Sequence, residues 1–129
     1  MTRGDARELL MQVLYQMESQ QDFSEALKNR YLSEIAGTRN QLPYINDIFE
    51  KVTGNLQVID AVIDNNSDRW RIGRIPKVDL AILRLAIAEM LYAEDIPREV
   101  SINEAVNLAK KYSTDESGRF INGVLGKVI

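Results

Sequence analysis

Apolar residues recur along this chain at helical intervals, and nowhere do they alternate as in a half-buried strand. Ala6, Leu9, Leu10, Val13, Leu14 and Met17 share one stripe at i, i+3, i+4 and i+7 spacing. Asp5 with Glu8 three residues on has capping spacing, which predicts a first helix from Ala6. A second helix is predicted over Ser24 to Ala36, with Leu27, Tyr31 and Ile35 inward and a stop near Gly37. A third begins near Pro43, which suits a first turn, and carries Ile45, Ile48, Phe49, Val52, Leu56, Ile59 and Ile63, loosened at Gly54.

The polar, basic stretch 65–77 then interrupts the pattern, with Gly73 and Pro76 in it. From Val78 to Ala93 only Asp79, Arg84 and Glu89 are charged, so this helix is apolar nearly all round and must be surrounded by others. Pro97 separates it from a fifth helix, where Ser101 and Glu104 have capping-box spacing and Ala105, Val106, Ala109 and Tyr112 face inward. Ser113 and Glu116 repeat that spacing ahead of a last helix with Phe120, Ile121, Val124, Leu125 and Val128 on its apolar stripe. The expectation is an all-α fold of two three-helix units packed together. A single domain would cover 1–129, with an N-terminal subunit over 1–64, a linker over 65–77 and a C-terminal subunit over 78–129.

Composition adds exclusions. The 129 residues are 45% hydrophobic and 27% charged, the balance of a globular protein, and they include no Cys and no His. Disulfides, thiolates, imidazole bases and the common zinc sites drop out together. Net charge is −3, but residues 1–64 hold 6 basic against 10 acidic groups and residues 65–129 hold 10 against 9. Arg69, Arg71, Arg74 and Lys77 crowd into nine residues; charge alone favours a solvated linker over a phosphate patch there. The apolar runs Leu9–Tyr15 and Leu80–Ala93 are too short to span a membrane, and neither is free of polar residues. An intracellular protein without membrane contact is expected.

Most chemical motifs fail. Asp64, Asn66 and Asp68 occupy the first three ligand positions of a calcium loop, but Arg69 and Ile75 stand where Gly and Glu are required. Gly118 and Gly123 have phosphate-loop spacing, yet Val124 replaces the lysine. Carboxylate pairs such as Asp47/Glu50 and Asp115/Glu116 read as exposed helix face and first-turn charge. No enzyme, cofactor or metal is expected. The last helix is the exception, because Gly118, Gly123 and Gly126 each cost about 1 kcal/mol against Ala in a helix interior. Something approaches that backbone closely, either a neighbouring helix or a ligand. Arg119, Asn122 and Phe120 together are groups that hold unstacked RNA bases and phosphates, although periodicity alone assigns Phe120 to the core. Arg3 and Arg7 lie four apart; with Asp5 as cap, Arg3 belongs to a flexible arm that orders on phosphate.

These pieces resemble the NusB family of bacterial transcription antitermination factors over nearly the whole chain. The carriers are Ala6-Arg7-Glu8-Leu9 leading to Leu14-Tyr15, Leu83-Arg84-Leu85-Ala86 with Glu89, and Ile96-Pro97. More specific still are Ile102-Asn103-Glu104-Ala105-Val106, Leu108-Ala109-Lys110 and Phe120-Ile121-Asn122-Gly123-Val124-Leu125. The resemblance implies a cytoplasmic, non-enzymatic factor. It would pair with NusE, a small-subunit ribosomal protein, bind boxA-type single-stranded RNA of ribosomal RNA leaders, and act in the RNA polymerase antitermination complex. It places RNA contacts at Arg3, Arg7, Glu116 and Phe120, to which residue chemistry adds Arg119 and Asn122, and NusE contacts at Asp79 and Tyr15. Gly4 and Asp5 interrupt the family's arginine run, so weak RNA binding without the partner is expected. Two alternatives remain: the RNA-targeting domain of a ribosomal RNA cytosine methyltransferase, and a helical interaction protein without RNA binding that self-associates as a homodimer through the glycine-bearing helix. No βαβ pattern or Gly-rich cofactor loop accompanies the first.

Overall fold

The structure, a computed structural model, describes residues 1–128; among them are seven α-helices and no strand. The helix α1 spans Arg3–Gln20, α2 Glu25–Ser33, α3 Leu42–Thr53, α4 Leu56–Asn66, α5 Lys77–Tyr92, α6 Arg98–Tyr112 and α7 Asp115–Lys127. As the pattern predicts, α5 is the central rod: every residue from Asp79 to Glu89 is buried, and α1, α3, α4, α6 and α7 all pack on it.

Two of the three buried charged side chains in this rod, Arg84 and Glu89, are paired, which offsets the cost of burying them. The Arg84 guanidinium donates from Nε (2.9 Å) and Nη2 (2.8 Å) to the two oxygens of Asp60 on α4, and from Nη1 (3.3 Å) to Glu18 on α1. Glu89 is 1% exposed and accepts from Arg7 Nε of α1 (2.9 Å), the Tyr44 hydroxyl of α3 and Ser101 Oγ of α6 (2.8 Å). One carboxylate therefore joins four helices.

Several helix ends differ from the sequence expectation. Thr2, not Asp5, caps α1: its hydroxyl accepts from the Asp5 amide (3.0 Å) while the Asp5 carboxylate accepts from the Thr2 amide (3.0 Å). Arg3 thus sits in the first helical turn and is no flexible arm. The second helix stops at Ser33, which leaves Ile35 39% exposed instead of inward. The predicted third helix is two, α3 and α4. Gly54 ends the first, where an added Cβ would lie 2.8 Å from the Glu50 carbonyl oxygen, and the Asn55 amide group donates to the Lys51 carbonyl (2.9 Å). The stripe Ile45, Ile48, Phe49, Val52, Ile59 and Ile63 is buried on both sides of the break.

Pro97 starts α6 one turn earlier than expected, so Ser101 is an internal, buried partner of Glu89 and not a cap. Tyr112, expected inward, is 38% exposed; its hydroxyl donates to Glu8 and accepts from Gln12 of α1. The cap of α7 is Thr114, one residue beyond Ser113, with its hydroxyl accepting from the Ser117 amide (3.0 Å). At the far end of α7, Arg98 Nη2 donates to the carbonyls of Leu125 (3.1 Å) and Gly126 (3.0 Å).

Candidate nucleic-acid and partner interface

In the first cluster two arginines one turn apart on α1 approach the Tyr44 ring of α3, at 4.3 Å for Arg3 and 5.6 Å for Arg7, but differ in exposure. Arg7 is buried, 6% exposed. Burial alone would weaken its charged form, but the hydrogen bond and charge of Glu89 outweigh that and raise its pKa. The expected surface role of Arg7 is not available from this position, because its guanidinium points into the protein at Glu89. Arg3, one turn earlier, is exposed; its guanidinium lies 4.3 Å from the centroid of the Tyr44 ring, and its Nε donates to Gln41 (2.9 Å). The Tyr44 hydroxyl is itself fixed on Glu89, so the buried network sets the platform on which the exposed cation rests.

A second cluster forms where the segment between α4 and α5 folds back on α7. Arg69 pairs with Glu116, Lys127 with Asp68, and the Trp70 ring meets Phe120 edge-on with centroids 4.9 Å apart at 68°. The Arg69 guanidinium covers the Trp70 ring at 4.5 Å. Phe120 is half-buried, while Glu116, Arg119 and Asn122 are exposed. The glycines of α7 divide. A Cβ on Gly118 would meet Lys110 Cγ of α6 at 3.3 Å, so helix–helix contact explains that position. Gly123 and Gly126 have open space beside them.

The expected partner residues also part company. Tyr15 lines a groove of about 310 Å³ with Met11, Gln16, Tyr31, Val78 and Tyr112. Asp79, next to Val78, is 0% exposed and cannot touch a partner from there. Burial raises its carboxyl pKa, opposed by the facing hydroxyls of Ser117 and Ser113, and neither carboxylate oxygen has a hydrogen bond of ordinary geometry among the described residues.

No hydrogen bond, ion pair or ring contact among the described residues joins the Arg3 cluster to the α7 cluster. Sequence reasoning missed Tyr44, Glu89 and Trp70 as organisers. An acid deep in an apolar helix that also carries few other charges is a signal for a buried partner, and the chain's one tryptophan beside an arginine signals a stacked pair. Among the described residues no three metal-binding side chains converge, and no helix is long and apolar enough to cross a membrane.

A model described as the NusB family matches residues 4–129. The transcription antitermination protein NusB of Acetivibrio thermocellus is 50% identical over the whole chain, which covers 89% of that protein. The structure of T. maritima NusB superposes with a TM-score of 0.86 at 34% identity, covering 98% of this chain and 89% of that one. A chain from a complex of antitermination factors NusB and NusE with dsRNA superposes at 0.84 and 25% identity, covering 98% and 96% respectively.

Proposed function

The chain belongs to the NusB family of transcription antitermination proteins, and on that premise we propose that it pairs with NusE and binds boxA-type RNA of ribosomal RNA leaders. In this reading it acts in the cytoplasm within the RNA polymerase antitermination complex, promoting readthrough of terminators. Its task is binding, not catalysis. The observation that carries the reading is the likeness over nearly the full length to a chain whose complex contains NusE and RNA.

The residues divide the work by exposure. Arg3 supplies a phosphate contact from a fixed position over Tyr44. On α7, Arg119 offers charge, Asn122 an amide, Phe120 an aromatic edge, and Glu116 an acceptor for base amino groups. Arg7 positions: through Glu89 it holds Tyr44 and hence the bed of Arg3. Tyr15 and its groove take the NusE side, and the buried Asp79 supports that side from within, at the start of α5. With net charge of the chain at −3 and few exposed arginines at the N-terminus, affinity for RNA alone is weak and NusE completes the basic surface.

Fluorescence anisotropy tests this with a boxA-type strand and a scrambled control, with and without NusE, at two salt concentrations. Preference for boxA, strengthened by NusE and weakened by salt, is the expected result. Equal, feeble binding of both strands with NusE present would refute the reading and favour a protein-only scaffold.

A further inference from the structure

The segment between α4 and α5 carries no RNA role in the family resemblance, yet it is anchored on the α7 face. Three ties hold it there: Asp68 to Lys127, Arg69 to Glu116 and Trp70 against Phe120. Two of those α7 residues, Glu116 and Phe120, are ones assigned to RNA above.

Trp70 is the only tryptophan of the chain, and it stays partly exposed although the fully buried Ile63 and nearly buried Ile75 flank the segment. Its ring is occupied by a flat cation, the Arg69 guanidinium, 4.5 Å from the centroid. A nucleobase is another flat group that stacks at such a face. The cover is easy to remove: both side chains of the Arg69–Glu116 pair are about half exposed, and ion pairs of that kind contribute little. Arg71 and Arg74, also exposed, stand on the same segment.

We propose that Trp70 is a base-stacking residue, contiguous with Phe120, and that Arg69 is its displaceable cover. An incoming unpaired base takes the place of the guanidinium on the indole. Arg69 then turns to the phosphate backbone, and Glu116, released, accepts from a base amino group. The site rests on the RNA-binding reading above and extends it to a part of the chain that reading does not use.

Because there is one tryptophan, 5-fluorotryptophan labelling gives a single ¹⁹F signal that reports on Trp70 even with NusE present. Titration with boxA-type single-stranded RNA should shift that signal with the same midpoint as anisotropy of labelled RNA. Trp70→Leu should weaken binding about tenfold, and Trp70→Phe, which keeps a ring, much less. Arg69→Gln leaves the aromatic packing in place and should reduce the slope of log affinity against log salt by about 0.7. RNA binding with an unmoved Trp70 signal and an unchanged salt slope in Arg69→Gln would overturn the site and leave the proposed function standing. Absence of RNA binding by the unmodified chain with NusE would overturn both.

Discussion

Breaking the pair of Arg7 and Glu89 is the most informative perturbation of this fold. Their side chains are 7% and 1% exposed, so removing either partner leaves an ion, or its hydrogen-bonding groups, stranded inside the protein. Glu89→Gln strands the Arg7 charge and weakens the acceptor of Tyr44 and Ser101; Arg7→Met leaves the Glu89 carboxylate with two neutral donors. Breaking a buried pair typically costs about 3–5 kcal/mol, against a total of about 5–15 kcal/mol for a domain. At about 2.1 cal/mol/K of unfolding entropy per residue, a chain of this length would lose roughly 11–18 °C in melting temperature. The double variant removes both charges and should recover about 2 kcal/mol relative to the sum of the singles. Urea unfolding of all four proteins, followed by circular dichroism, gives the cycle. Two single variants each within about 1 kcal/mol of wild type, with additive effects, would refute the reasoning and return Arg7 to the surface. RNA affinity of Arg7→Met, measured where that variant is still folded, should fall less than that of Arg3→Gln.

Three further outcomes are expected. Asp79 has a carboxyl pKa raised in the folded protein by burial, so folding favours its protonated form: its stabilising contribution is full below the unfolded value of 3.8 and is lost as pH rises through the folded value. Asp79→Asn should therefore raise the melting temperature at pH 7, by an amount worth about 1–3 kcal/mol, and the gain should shrink towards pH 4; a loss at pH 7 would contradict it. Gly123→Ala and Gly126→Ala, with open space at the new methyl, should each stabilise by up to about 1 kcal/mol, whereas Gly118→Ala must move Lys110 and should gain less; equal melting temperatures for all three would count against the packing described. Arg3→Gln should leave the melting temperature unchanged and lower the salt slope of RNA binding by about 0.7; a large loss of stability would show Arg3 to be structural.

The stripes of the first helix and of the last were legible because their buried faces keep helical spacing, and the apolar rod α5 announced its central place. Helix ends were harder. At the N-terminus both Thr2 and Asp5 are good caps, and only the reciprocal bonds between them decide that the helix begins at Arg3. Ser101 and Glu104 have the spacing of a cap, yet Pro97 already starts that helix and a buried acid claims the serine. The same limitation governs the site. Arg3 and Arg7 share a helical face by spacing, but Arg3 stays exposed while Arg7 is buried, and the partner that draws Arg7 inward lies 82 positions away. Asp79 fell to the inside for a related reason, because α7 closes over the start of α5. Trp70 has no periodic neighbours at all, so nothing local told that it would meet Phe120.

The two charged residues deep in α5 also have a consequence for how the chain finds one arrangement rather than several. An apolar rod can slide or rotate among its neighbours with little change in buried surface, since leucine and isoleucine faces substitute for one another. Arg84 and Glu89 remove that freedom. A slip of one turn, about 5.4 Å, would carry Arg84 away from Asp60 and Glu18 and leave Arg7 and Tyr44 without an acceptor. Reversing the rod would bring like charges together, an arginine against Arg7 and a carboxylate against Asp60. The pair works as a key with opposite teeth: it fits its lock at one depth, one rotation and one polarity.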